Sequence, residues 1–254
     1  MATFGIGGIA LTGTEESLVT PEVTLPLMVY RPQAAGPCPA VIICSGGMET
    51  GLWEVYEWLA ASLRDAGIFV VTLKYRAASP LHDPDDISLV VDWLSGKAEV
   101  DATRIGILGH SRGGGAALRA AALDSRLKAV VTLGVVTEFL QQVEGLAIFA
   151  PSRHRVLTGW LGDPVSNRSF YEKVQALNYG DRVKQPVLML HGQNDMHSPT
   201  EQSEWMRDAM VAGGNKDVRL EVLPRMGHFF DVVPSTFGFD ILRCHIVPYF
   251  RAKL

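Results

Sequence analysis

Residues 104–123 read RIGILGHSRGGGAALRAAAL, and this stretch decides the fold. Residues 104–109 form a short apolar run of strand length, and residues 114–123 are alanine- and leucine-rich and helical in composition. Between them lies Gly109-His110-Ser111-Arg112-Gly113, a G-x-S-x-G at a strand-to-helix junction. A serine on so tight a turn takes a strained backbone conformation, and only very small residues fit two positions to either side. The turn lifts the hydroxyl out of a sheet and aims the helix N-terminus at it. Gly113-Gly114-Gly115 is not a phosphate cradle, because no P-loop lysine follows; close helix–sheet packing explains these glycines more simply.

Outward from this junction, strand-length apolar runs alternate with helical-period segments, the pattern of a mostly parallel sheet covered on both faces. Strands are expected at residues 40–45, 68–75, 104–109, 128–136, 186–190 and 218–223. Helices are expected at 53–66, with Gly67 as its stop, at 85–95, and at 239–250, where Pro248 should end or kink the helix. Residues 138–181 break the alternation: they are rich in aromatics, show no strand, and read as a small helical cap inserted within one domain spanning 1–254. The expectation is an α/β fold: a twisted, mostly parallel sheet with helices on both faces and a cap-like insertion.

A serine hydroxyl needs a base to take its proton and an acid to orient that base. In such a fold these follow the serine in the order acid, then histidine, in loops at strand C-termini. Asp195 follows the strand at 186–190, and His228 follows the strand at 218–223 behind a flexible Gly227. The other histidines fit less well: His110 lies inside the turn, His191 at a strand end, His245 in the final helix, and His82, His154 and His197 precede the right position. Glu138 is the alternative acid, whereas Asp231 and Asp240 lie too near or beyond the histidine. The backbone N–H of Arg112 and one from Gly47 or Met48 would receive a developing oxyanion. Trp53, Phe139 and Trp160 are candidate pocket residues. A metal reading of His191, Asp195 and His197 matches no metal-site spacing and consumes the acid, so neither metal nor organic cofactor is expected.

Composition narrows the partners. The 254 residues are 47% apolar and 20% charged, with 23 basic and 27 acidic side chains giving −4, so a nucleic-acid partner is not expected. Apolar runs are strand-sized, and the first thirteen residues lack a positive n-region, so neither a membrane span nor a signal peptide is expected. Three cysteines, Cys38, Cys44 and Cys244, read as reduced thiols of a cytoplasmic protein. A homodimer is the base-rate expectation.

From about Thr24 to Phe250 the chain resembles the α/β-hydrolase superfamily. Residues 159–181, 186–195 and 226–228 are similar to the catalytic domain of the prolyl oligopeptidase family. Residues 44–51 and the GHSRGGG turn resemble dienelactone-hydrolase-like esterases. The resemblance implies Ser111 as nucleophile, His228 as base and Asp195 as acid. It also shows departures: 254 residues are too few for the oligopeptidases' β-propeller, Ser111 stands where dienelactone hydrolases carry cysteine, and Ser45 replaces the usual histidine before the oxyanion glycines. The expected function is hydrolysis of small to medium carboxylic esters through an acyl-enzyme. A peptidase, amidase, thioesterase or C–C bond hydrolase with the same triad is the alternative, and a non-catalytic binding protein on this scaffold a more distant one.

Overall fold

Consecutive runs of β-branched and aliphatic residues give a computed structural model its central sheet; the structure describes residues 10–48, 50–230 and 236–254. The strands are β1 (Thr14–Val19), β2 (Thr24–Tyr30), β3 (Cys38–Cys44), β4 (Phe69–Leu73), β5 (Val100–His110), β6 (Leu127–Leu133), β7 (Val187–Gly192) and β8 (Val218–Leu223). They form one eight-stranded sheet in the order β1-β2-β4-β3-β5-β6-β7-β8. β3 to β8 pair in parallel, and β1 and β2 add an antiparallel edge. β3, β4 and β7 are apolar and buried nearly throughout, as strands covered on both faces must be.

The six expected strands are all present, with shifted ends. The strand expected to reach residue 136 stops at Leu133, because Gly134 turns the chain at φ +51°. β1 and β2 were not expected. Only Leu18 of β1 is buried, and Pro26 inside β2 removes a ladder donor, which argues against a strand; β2 nevertheless pairs with both β1 and β4, its pairing with β4 starting at Leu27, one residue beyond the proline.

The helices are α1 (Glu57–Asp65), α2 (Asp83–Ser95), α3 (Arg112–Leu123), α4 (Phe139–Phe149), α5 (Pro151–Leu161), α6 (Arg168–Val174), α7 (Glu201–Ala212), α8 (Thr236–Ile241) and α9 (Val247–Lys253). α7 was also unexpected; its polar sequence buries Gln202, Ser203, Met206 and Met210 at helical spacing. Pro248 does not end the final helix. It occupies the first turn of α9, where its missing N–H costs nothing, and a π-helical turn at Leu242–Ile246 separates α8 from α9. Asp231 lies outside the described residues.

Two apolar cores cover the two faces of the sheet, one including α2 and α3, the other including α1 and α9. A third core belongs to the insertion, where α4, α5, α6 and a 3₁₀ turn at Ala176–Arg182 fill the crossover from β6 to β7. Met48 and Leu81, from the loops after β3 and β4, pack against this third core. Among the described residues, no helix is long and apolar enough to cross a membrane.

Candidate active site

β5 delivers its last residue, His110, directly into Ser111, and α3 begins one residue later. Ser111 has φ +54° and ψ −120°, a conformation that L-residues rarely adopt. The surroundings over-determine it: its N–H donates to Leu133 O (2.9 Å), and its carbonyl accepts from the N–H groups of Gly114 (3.0 Å) and Val136 (3.2 Å). The flanking glycines are sterically required, since a Cβ on Gly109 would run into the Gly113 carbonyl, and one on Gly113 into the Cys44 carbonyl. Gly114 and Gly115 also lie tightly against Val135 and Val136, just beyond β6, so the glycine run serves close packing of α3 on the sheet's C-terminal edge.

Asp195 sits in the loop after β7 and His228 in the loop after β8. The two loops lock together: Asn194 N–H donates to Met226 O (2.8 Å) and Gln193 N–H to Leu223 O (2.9 Å). His228 Nδ1 then lies 2.6 Å from Asp195 Oδ2, so Nδ1–H donates to the carboxylate and the ring's other nitrogen, Nε2, is left as the acceptor. Asp195 Oδ1 accepts from the backbone N–H groups of His197 and Ser198, both at 2.8 Å. Burial raises the Asp195 carboxyl, but hydrogen bonds from His191 and His228 and the Ser198 amide outweigh it and hold it well below the usual carboxylate range. Burial pushes His228 down to about 4; its hydrogen bond to Asp195 opposes the fall, and His110 and His197 add to it. At neutral pH the pair is therefore an ionised carboxylate orienting a neutral imidazole, the state of a general base.

Gly134 brings this pair to the serine. It follows Leu133, the residue whose carbonyl holds the Ser111 N–H, and a Cβ on it would lie 3.1 Å from Asp195 Oδ2 and 3.2 Å from His228 Nδ1. The loop after β3 approaches from the opposite side, where a Cβ on Gly46 would stand 2.9 Å from the Ser111 Cβ. Gly46 N–H is taken by Tyr56 Oη (3.0 Å), which leaves Gly47 and Met48 as the candidates on this turn. Gly47 is exposed at φ +91°, a conformation that favours glycine. Ser45 is buried, and among the described residues its Oγ has no hydrogen-bond partner.

The Arg112 side chain, unread in the sequence, is buried in a bidentate pair with Asp83 (Nε–Oδ2 2.9 Å, Nη2–Oδ1 2.7 Å). It also donates to Ala78 O (2.8 Å) and, at 3.5 Å, to Gly47 O. Two turns further along α3, Arg119 donates to Pro80 O and Leu81 O, so two arginines of the helix hold the loop after β4.

The remaining candidates are scattered. Trp160 is half-buried in the insertion and donates from Nε1 to Ala78 O (2.9 Å), and Phe139 packs edge-on against it in the insertion core. Trp53 is buried in the core shared with α1, beneath the Lys74 ammonium. Glu138, the alternative acid, instead caps α4 by accepting from Gln141 N–H. His191 is bound by Ser203 Oγ and Ser198 O, and His245 pairs with Glu221. Among the described residues, no group of three or more His, Cys, Asp or Glu side chains could hold a metal ion. Gly134, Asp83 and Tyr56 carried no site signal, and His197 was weighed only as a rival base or metal ligand; each becomes informative only when elements distant in sequence are brought together.

The fold is shared with known proteins. The profile of the prolyl oligopeptidase family matches residues 74–235. The esterase FrsA of Vibrio cholerae is 27% identical over 74% of this chain, and the match covers 49% of the esterase, so the chain spans about half the length of this curated relative. The 2,6-dihydropseudooxynicotine hydrolase of Paenarthrobacter nicotinovorans is 31% identical over 46% of this chain and 34% of its own length. In structure, the chain superposes on a Mycobacterium tuberculosis puromycin-hydrolyzing peptidase with a TM-score of 0.80, at 20% identity over 95% of this chain and 39% of the peptidase. It shares the α/β-hydrolase fold.

Proposed function

The chain belongs to the prolyl oligopeptidase family, and from that premise we propose that it is a serine hydrolase cleaving carboxylic esters of small to medium organic substrates. Ser111 Oγ attacks the ester carbonyl while His228 Nε2 takes its proton, and Asp195 holds the imidazole tautomer and stabilises the imidazolium that forms. The N–H of Arg112 and that of Gly47 or Met48 receive the oxyanion. His228 then protonates the leaving alcohol, and water repeats the sequence on the acyl-enzyme.

The observation that carries this reading is the buried 2.6 Å bond between His228 Nδ1 and an ionised Asp195, beside a serine at φ +54°. An ester is favoured over an amide by the esterase FrsA likeness, which covers three quarters of the chain. The peptidase likeness, at 20% identity, speaks for the fold alone. Apolar acyl groups suit the insertion core that meets the turn at Met48.

The test is hydrolysis of p-nitrophenyl esters from C2 to C12 by the wild type and Ser111→Ala, alongside matched thioester and amide substrates. Turnover should fall about 10⁴-fold in the variant. Near-normal turnover in Ser111→Ala would exclude the mechanism, and faster cleavage of the amide would replace the esterase reading with an amidase. Failure of a fluorophosphonate to label Ser111 in folded protein would point to a binding protein.

A further inference from the structure

Three loops at the C-terminal edge of the sheet meet at His110, the residue before the serine. Its Nε2 lies 3.0 Å from the backbone carbonyl of His228, and its Nδ1 lies 2.9 Å from Tyr56 Oη. Tyr56 Oη in turn accepts from Gly46 N–H at 3.0 Å. Tyr56, His110 and His228 are each at most 6% exposed. For a singly protonated His110 ring the chemistry fixes the direction of each of these bonds. A carbonyl can only accept, so Nε2 of His110 carries a proton. The neutral ring then offers Nδ1 as an acceptor, and the Tyr56 hydroxyl, whose oxygen is already accepting from Gly46, donates to it.

We propose that His110 and Tyr56 are positioning residues, forming a directed relay from Gly46 N–H through Tyr56 and His110 to His228 O that sets the catalytic loops against one another. This proposal rests on the serine hydrolase reading above. The relay joins the turn that carries Gly47 and Met48 to the elbow and to the histidine loop. His228 is thereby held twice, its ring by Asp195 and its main chain by His110. Side-chain rotation alone therefore cannot correct a drift of the loop. Placement of this kind governs turnover, because a displacement of about 1 Å at the reacting centre can cost about 10²-fold in rate.

The relay demands opposite tautomers on two neighbouring rings, Nε2–H on His110 and Nδ1–H on His228. Long-range proton–nitrogen spectra of the ¹⁵N-labelled full chain at neutral pH read both, with signals assigned by their loss in His110→Gln and His228→Gln. A bare, hydrogen-bonded Nδ1 on His110 is the expected result, and Nδ1–H there overturns the relay. In kinetics on p-nitrophenyl acetate, Tyr56→Phe should lower kcat about tenfold with KM within about twofold. His110→Leu should lose about 10²-fold in kcat, and His110→Gln, whose amide N–H can still reach His228 O, should recover most of it. Unchanged kcat in Tyr56→Phe, or equal loss in the leucine and glutamine variants, overturns the proposal. If a variant does not fold by circular dichroism, the wild-type tautomers decide alone. If the wild type fails to label with fluorophosphonate, the hydrolase reading falls, and the spectra still test the relay.

Discussion

His197 stacks on His228 with ring centroids 5.1 Å apart and 30° between the planes, while the His110 ring stands 4.8 Å from the same imidazole. Burial makes a charge on His228 costly, and the neighbouring His110 and His197 rings add to that cost. The base thus stays unprotonated in acid that would silence an exposed histidine.

The pH profile should show this. With His228 lowered to about 4, kcat/KM for an ester should stay level as pH falls through the ordinary histidine range near 6.5, and decline only near 4. Stability should behave differently. Between about 4 and 6.5 the unfolded chain binds a proton at this histidine that the folded chain does not, so acidification through that window lowers stability. Asp195 adds a loss of the same sign below its unfolded value of 3.8, because its folded pKa is also depressed. A rate profile falling with a midpoint near 6.5 would contradict the burial argument.

Ser111 exchanges stability for position. A residue held at φ +54° and ψ −120° carries strain of about 1–3 kcal/mol, which glycine relieves. Glycine gives back about 0.5–1 kcal/mol through the entropy of the unfolded chain. Ser111→Gly should therefore be inactive yet melt about 2–4 °C higher than the wild type for each net kcal/mol gained. A lower melting temperature would mean that the serine is relaxed in its turn.

Much of this architecture was legible because its signals are local. The run RIGILG before GHSRG announces a strand entering an elbow, and Asp195 and His228 each follow an apolar strand-sized run. What stayed hidden depends on pairing across the sheet. Pro26 disguised a strand paired on both sides, and Gly134 looked like any strand-end glycine until β6 and the loops after β7 and β8 came together. Arg112 was legible as a backbone amide only, because its partner Asp83 lies 29 residues away on a different helix.

That pair carries its own prediction. Asp83→Leu leaves the Arg112 guanidinium, 3% exposed, without its carboxylate, and should cost about 3–5 kcal/mol in urea unfolding. Adding Arg112→Met removes the stranded charge and should recover part of the loss. Recovery stays incomplete because the Arg112 hydrogen bond to the Ala78 carbonyl is lost as well, worth about 1–3 kcal/mol for a charged donor, although Trp160 Nε1 still donates there. Strict additivity of the two substitutions would show that the pair does not act as a unit.

Gly134→Ala probes the seam between the serine and its base without replacing any reacting group. The new methyl would sit 3.1 Å from Asp195 Oδ2 and 3.2 Å from His228 Nδ1, closer than either polar atom tolerates without yielding. The backbone at φ +51° adds strain of about 1 kcal/mol or more for a residue with a side chain. The carboxylate is fixed by two backbone N–H groups at Oδ1, so the imidazole is the partner that gives way. Ester turnover should therefore fall by about 10²-fold or more, chiefly in kcat, while the protein remains folded. Fluorophosphonate labelling of Ser111 should slow in parallel, since it depends on the same base. Wild-type kcat in Gly134→Ala would mean that the His228–Asp195 bond is not the element that sets the rate.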